Sequence, residues 1–493
     1  MESPRVYPDS HSEQPPGRVS RLDRVSRVFL LGLAISIPLG FVGCAGSSRP
    51  LAPPAVIVDS TSPEFRQAAL FRPTGDKVHI QRDWWRLFGD SNLDALQAKL
   101  TTDNPNLLAS LAQIRVAQAA LEASRAPLSP SVSASFSFTR SESQQSSNSG
   151  TALTPALSAS WELDLWGRLG AQTDAAKARL QASEFDFAGL ELSLQASLTQ
   201  TWLALRAAQA QAALLESTVE AYTRSLQMTE DRYRVGIVPA TDVAQAQTQL
   251  KTAQAQAAEL QGARAVLENA IAVLTGQLPA NLKLTAIQGL PDAPEVPVQL
   301  PAELLRRRPD VAAAERRVTA AAAQIGAAQA AFFPAVTLSA NANLRSRTLP
   351  DLFSAPPLFW SLGPALALAA FDGGARQAAV NSARASLELA SAQYRQVVLT
   401  AIQEVEDNLA LISALNRQVQ LLEESLVQAR RALELTLNQY RAGTVSYLNV
   451  VAAQTTALSV ERSLLDARTR RLNASNLLLK NLAGGWGQTI EKK

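Results

Sequence analysis

The sequence predicts a helix-dominated α+β chain in which two copies of one plan follow each other, each joining two strands to very long helices. Three observations predict it. A set of motifs recurs in order along the chain, and four segments alternate between apolar and polar residues. The tracts between them are rich in Ala, Leu, Gln and Glu with almost no Pro. Alternation marks a strand with one apolar face, and such tracts favour helix.

The repeat is read from ordered matches. Tyr233-Arg234-Val235-Gly236-Ile237-Val238 returns 207 residues later as Tyr440-Arg441-Ala442-Gly443-Thr444-Val445. Asn104-Pro105 answers Arg308-Pro309, and Asp164-Leu165-Trp166-Gly167-Arg168 answers Phe371-Asp372-Gly373-Gly374-Ala375-Arg376. The offsets stay between 204 and 208, the mark of a tandem duplication. Gly236 and Gly443 are the turn positions of the repeated motif.

The chain opens with an export signal. Arg21, Arg24 and Arg27 precede an apolar run over 28–42, which Ser36 and Pro38 interrupt. Such a run is short for a membrane-spanning helix and has the form of a secretory leader. It ends at Phe41-Val42-Gly43-Cys44, which resembles a bacterial lipobox, so residues 1–43 are expected to leave and Cys44 to carry lipid. The alternative is a buried Cys in an N-terminal anchor helix. A lipidated segment over 44–83 then leads into a first repeat, 84–275.

Within that repeat, Leu107, Leu111, Ile114, Ala117 and Leu121 recur at helical spacing across 106–126, and the counterpart helix covers 310–333. A hairpin follows over 131–165. Val132, Ala134, Phe136 and Phe138 alternate with serines, and Leu157, Ala159, Trp161 and Leu163 alternate with Ser158, Ser160 and Glu162. The second hairpin, 335–371, repeats the pattern with Val336, Leu338, Ala340 and Ala342, and less cleanly in its return segment. Strands of this length with one apolar face suit a membrane barrel with a wet interior, and a soluble β-sandwich layer alternates in the same way. Four strands cannot close a barrel within one chain. A trimer giving twelve strands is the economical completion, because open strand edges are too costly in lipid.

Two helical tracts, 170–234 and 374–441, follow the hairpins. Each reaches about 100 Å if continuous, and the alternative is two helices per tract with turns near 205–208 and 409–413. Further helices cover 240–275 and 447–482. A proline-rich linker, 276–301, joins the first repeat to the second, 302–482, and a tail covers 483–493. A coiled-coil scaffold would share the helical pattern, but the leader and the strand pairs count against it.

Composition narrows the function. Lys+Arg number 46 against 43 Asp+Glu, and charged residues are only 18%, so no broad basic surface for nucleic acid is expected. One Cys and two His leave no thiolate or imidazole metal site and no disulfide framework. With the leader removed, His79 is the single histidine of the mature chain and no Cys stays free. Glu162 and Asp164 sit on one face of a predicted strand beside serines, which a wet lumen explains better than paired catalytic carboxylates. No enzyme, cofactor or metal is expected. No uninterrupted run of 18 apolar residues exists.

Taken together the chain resembles the TolC-like outer membrane efflux family, in the lipidated branch that works with resistance-nodulation-division pumps. The carriers are Trp84-Trp85 with Phe88 and Leu93, Trp161-Glu162-Leu163-Asp164-Leu165-Trp166-Gly167, Arg307-Arg308-Pro309-Asp310-Val311, Phe332-Phe333-Pro334, Phe371-Asp372-Gly373-Gly374 and Tyr440-Arg441-Ala442-Gly443. The resemblance implies a homotrimer whose twelve-strand outer-membrane barrel continues into a long periplasmic α-helical barrel. It implies a passive exit duct, with a periplasmic adaptor and an inner-membrane pump as partners and outer-membrane lipid at Cys44. Ala45 lacks the Asp that retains lipoproteins in the inner membrane. The family closes its periplasmic end near acidic side chains. The matching residues here are Glu404, Glu406 and Asp407, placed just before a helix turn, with Asp407 preferred and a solvated helix face as the alternative for all three, and Leu409 is a candidate apolar constriction. Trp202, Leu205 and Arg206 occupy the comparable place in the first repeat. The competing function is a trimeric scaffold lipoprotein that does not conduct.

Overall fold

The computed structural model describes residues 83–143, 146–284, 289–294, 308–354 and 356–482. The expected leader, Cys44, nearly all of the 44–83 segment, parts of the 276–301 linker and the 483–493 tail lie outside the described residues.

A single 3-10 turn, Trp84–Phe88, leads into α1 (Ser91–Asp103) and α2 (Pro105–Arg125). Both helices begin where a side chain caps them. The Asp90 carboxylate accepts from the amides of Asn92 and Leu93 at 3.0 and 3.4 Å, and Asn104 Oδ1 accepts from Asn106 and Leu107 at 2.9 and 3.2 Å. Each cap contributes about 1 kcal/mol, and Pro105 at the first helical position needs no amide partner. The second copy shares the proline at the start of α5 (Pro309–Ala330), but Arg308 before it makes no side-chain cap.

The strands are β1 (Ser131–Ser143), β2 (Ser146–Leu163), β3 (Ala335–Leu344) and β4 (Leu358–Ala367), in the order β1-β2-β3-β4 and antiparallel throughout. A short helix, α6 (Leu349–Phe353), sits in the β3–β4 connection. Register brings the large apolar residues of the four strands, Phe359 excepted, to one face. Val132 lies opposite Ala159, Trp161 opposite Leu338, and Ala342 opposite Trp360. A soluble sandwich would cover that face with a second sheet. Here Trp360 is 74% exposed and Leu366 70%, and the described residues form one sheet.

The long tracts are α3 (Arg168–Arg234) and α7 (Ala375–Arg441), each 67 residues and unbroken. The alternative turns near 205–208 and 409–413 do not occur. Neither stretch holds Gly or Pro, and Leu203, Leu205, Leu409, Ile412 and Leu415 stay buried across them. Packing therefore runs through the positions where a break would expose it. Both helices start after a left-handed glycine, Gly167 at φ 72° and Gly374 at φ 89°. Asp164 accepts from the amides of Leu169 and Gly170, and Asp372 from those of Gly374 and Arg376, so the two starts match chemically.

Each long helix turns back through the repeated motif into α4 (Ala240–Leu274) or α8 (Tyr447–Leu482). Gly236 and Gly443 hold φ of 76° and 78°. The amide of Ile237 reaches Arg232 O, and that of Thr444 reaches Gln439 O. This is the Schellman closure, in which glycine avoids the cost of a left-handed residue. The largest core lies near the middle of the long helices, where Trp84, Leu93, Trp202, Leu203, Leu409 and Leu478 meet.

Candidate functional site

Three regions carry chemistry that chain-local propensity does not explain: the sheet, the middle of the long helices, and their far ends. The sheet presents apolar residues on one face and mostly small polar ones on the other. Ser133 Oγ meets Ser158 Oγ at 2.8 Å, and Ser160 lies opposite Ser339 and Ser158 opposite Asn341. At its inner end Glu162 takes a bidentate bond from Arg168 at 2.7 and 2.8 Å. Aromatic side chains gather there too. The Trp166 indole donates to Pro334 O at 2.8 Å and stacks on Phe333 at 4.8 Å, while Trp161 donates to Leu128 O. Apolar rings with a polar handle suit a membrane–water boundary.

The middle of the long helices corrects the expected position of the acidic group. Glu404, Glu406 and Asp407 do not precede a turn. Glu404 comes 29 residues after the start of α7, and Asp407 lies 34 before its end. Good helix formers on both sides keep the helix going. Glu404 accepts from Arg308 Nη2 at 2.8 Å, and Arg308 also grips Asp310 through Nε at 3.0 Å and Nη2 at 2.7 Å. Leu409 is fully buried in the core, so its side chain is committed to packing rather than to an aperture. Glu406 is half-buried, and Asp407 is exposed and accepts from Gln403 Nε2 at 3.2 Å. In the first repeat Trp202, Leu205 and Arg206 are buried as well. Arg206 Nη1 donates to Asp90 Oδ2 at 2.6 Å, Trp202 Nε1 to the same oxygen at 2.8 Å, and Arg206 also holds Gly289 O.

Burial pushes the Asp310 carboxyl up, but the hydrogen bond and charge of Arg308 outweigh it and hold the group below its ordinary value. A lowered folded value means the joint contributes fully above the ordinary carboxylate range and loses that contribution as pH falls through the folded value. Thermal unfolding of the parent and of Asp310→Asn, followed from about pH 5 to about pH 3, is expected to show the parent's advantage shrinking. A constant gap would separate Asp310 from the acid response.

The far ends are stitched by a residue that no sequence pattern above singles out. Arg232, in the last turn of α3, donates through Nη1 to the carbonyls of Tyr440 and Arg441 at 2.5 and 3.3 Å. Its guanidinium lies 4.9 Å from the Tyr440 ring centroid, and that ring meets Tyr447 edge-on at 5.3 Å. A cation on the last carbonyls of α7 is favoured by the helix dipole. Asp242, in the first turn of α4, is buried beside this cluster. Burial raises the Tyr447 phenol, with the nearby Tyr440 and Asp242 adding to it against a lowering bond with Ser225. One signal was available: Arg232 directly precedes the repeated Tyr-Arg-x-Gly motif. Among the described residues no group of His, Cys, Asp and Glu could hold a metal ion.

Comparison with known proteins points the same way. The model of a family described as outer membrane efflux protein matches residues 96–277 and 300–485. The pyoverdine export outer membrane protein OpmQ of Pseudomonas aeruginosa is 32% identical over 418 residues, covering 82% of this chain and 88% of its own. A probable efflux pump outer membrane protein, TtgC of Pseudomonas putida, is 31% identical over 449 residues, 88% of this chain and 93% of its own. Among solved structures, the outer-membrane channel OprN superposes with a TM-score of 0.80 at 29% identity, covering 86% of this chain and 97% of its own. CusC, whose structures address transmembrane channel formation, gives 0.77 at 27%, covering 81% and 94%.

Proposed function

The chain belongs to the outer membrane efflux protein family, and from that membership we propose how its parts form and control an exit duct. It is an outer-membrane efflux channel and not an enzyme, the passive outer part of a tripartite system. One observation carries the detailed reading. A sheet with one apolar and one small polar face, open at both edges, continues directly into two unbroken 67-residue helices.

Three copies close the sheet into a twelve-strand barrel, apolar side to lipid, and their helices enclose a periplasmic tube. Exposed apolar residues along α7, Leu421, Val427 and Leu435 among them, support a neighbour packed along the shaft. A periplasmic adaptor and an inner-membrane pump of the resistance-nodulation-division type feed the tube. Cys44 is the lipid attachment point that holds the N-terminus in the outer membrane.

Closure belongs to the far helix ends around Gly236 and Gly443, where Arg232 ties the two hairpins together. Asp407 is the acidic residue left with an exposed carboxylate, and it suits a ring of like charge part-way along the tube that favours cations. Electron microscopy of the detergent-extracted protein, with no symmetry imposed at first, is expected to show a threefold tube. Planar bilayers are expected to show cation-preferring conductance that Asp407→Asn weakens. Metabolic labelling with palmitate is expected to mark the parent and spare Cys44→Ala. A threefold particle without conductance would leave only a scaffold.

A further inference from the structure

The polar face of the sheet has one exception. Paired residues on antiparallel strands share a face, and neighbours along a strand point to opposite faces. Phe359 lies opposite Asn343, Asn343 opposite Ala156, and Ala156 opposite Ser135. Phe359 therefore belongs to the face built from Ser, Thr, Asn, Ala and Gly, while its neighbour Trp360, opposite Ala342, belongs to the apolar face. It is 52% exposed, and among the described strand residues it is the single large apolar side chain on the polar side. It sits in the second residue of β4, at the end of the sheet away from the long helices. A benzene ring among hydroxyls and amides gains nothing from that wet surface. It offers a passing molecule an apolar, electron-rich face.

We infer that Phe359 is a cargo-contact residue. Three copies at one level near the outer mouth form an aromatic ledge that briefly holds flat apolar molecules and organic cations as they leave. The inference rests on the trimeric channel reading above. A ring face attracts a desolvated cation and stacks on an aromatic one, whereas an aliphatic cation of similar bulk lacks the stacking partner.

The test uses the full-length channel in planar bilayers, with tetraphenylphosphonium or tetrabutylammonium added on the outer side. Tetraphenylphosphonium is expected to lower conductance at smaller concentrations than tetrabutylammonium. Phe359→Ser should weaken its action about three- to tenfold, and Phe359→Tyr should preserve it. Equal sensitivity in the parent and in Phe359→Ser overturns the ledge. Orientation is checked in a Cys44→Ala background, which removes the one native Cys. Phe359→Cys should react with a membrane-impermeant maleimide, and Leu362→Cys, on the apolar face, should not. An unlabelled Phe359→Cys in trimers that still conduct also overturns the ledge. A parent that neither trimerises nor conducts overturns the channel reading and the ledge with it.

Discussion

Replacing Asp90 by Ala is expected to cost about 3–5 kcal/mol, the size typical of a buried ion pair broken from one side. Both side chains of the Asp90–Arg206 pair are 7% exposed, so Ala would remove the buried guanidinium's carboxylate partner while its bonds to the Gly289 carbonyl remain. The same carboxylate caps α1 and accepts the Trp202 indole, and both bonds would go with it. The loss should appear as a lower midpoint in chemical denaturation and a lower temperature of trimer dissociation. The double variant Asp90→Ala/Arg206→Met should recover much of it, because a buried charge without its carboxylate is the larger part of the damage. A single variant as stable as the parent would mean that the N-terminal turn and α1 are not fastened to α3 through this pair.

Arg232→Ala is expected to raise single-channel conductance severalfold. It removes a charged donor from two carbonyls at the end of α7 and a cation from the face of Tyr440. A charge-assisted hydrogen bond contributes about 1.5–3 kcal/mol, and about 1.4 kcal/mol is a tenfold shift between two states. Splayed hairpins should therefore become far more populated, while the sheet and mid-helix core, remote in sequence and separately packed, keep their stability. Arg232→Lys keeps the charge but not the planar fork and should fall between. Unchanged conductance in Arg232→Ala, with trimer stability intact, would remove this contact from the control of closure.

The strand alternation, the duplication and both turn glycines were legible because each depends on residues close together in sequence. The limits of the long helices were legible for the same reason, at the left-handed glycines and the Tyr-Arg-x-Gly turns. Whether each tract was one helix or two was not. Propensity scores Ala, Leu and Gln alike on either side of a turn, and only the continuous burial of Leu203, Leu205, Leu409 and Ile412 removes the break. Helix continuity then moved Glu404, Glu406 and Asp407 from an expected helix end to the middle of the shaft.

The period of every long element and the sidedness of most strands follow from residue order alone, because adjacent side chains must alternate or spiral whatever they pack against. Which charges are solvated and which are joints depends on how distant segments pack. Asp90 and Arg206 lie 116 residues apart, and Arg308 and Glu404 lie 96 apart, so no local pattern connects them. The same holds for the side of Phe359, in the strand whose alternation is least clean. Register against β3, a contact with another strand, sets it. Polarity is written residue by residue, but burial and pairing exist only once distant segments share the same space.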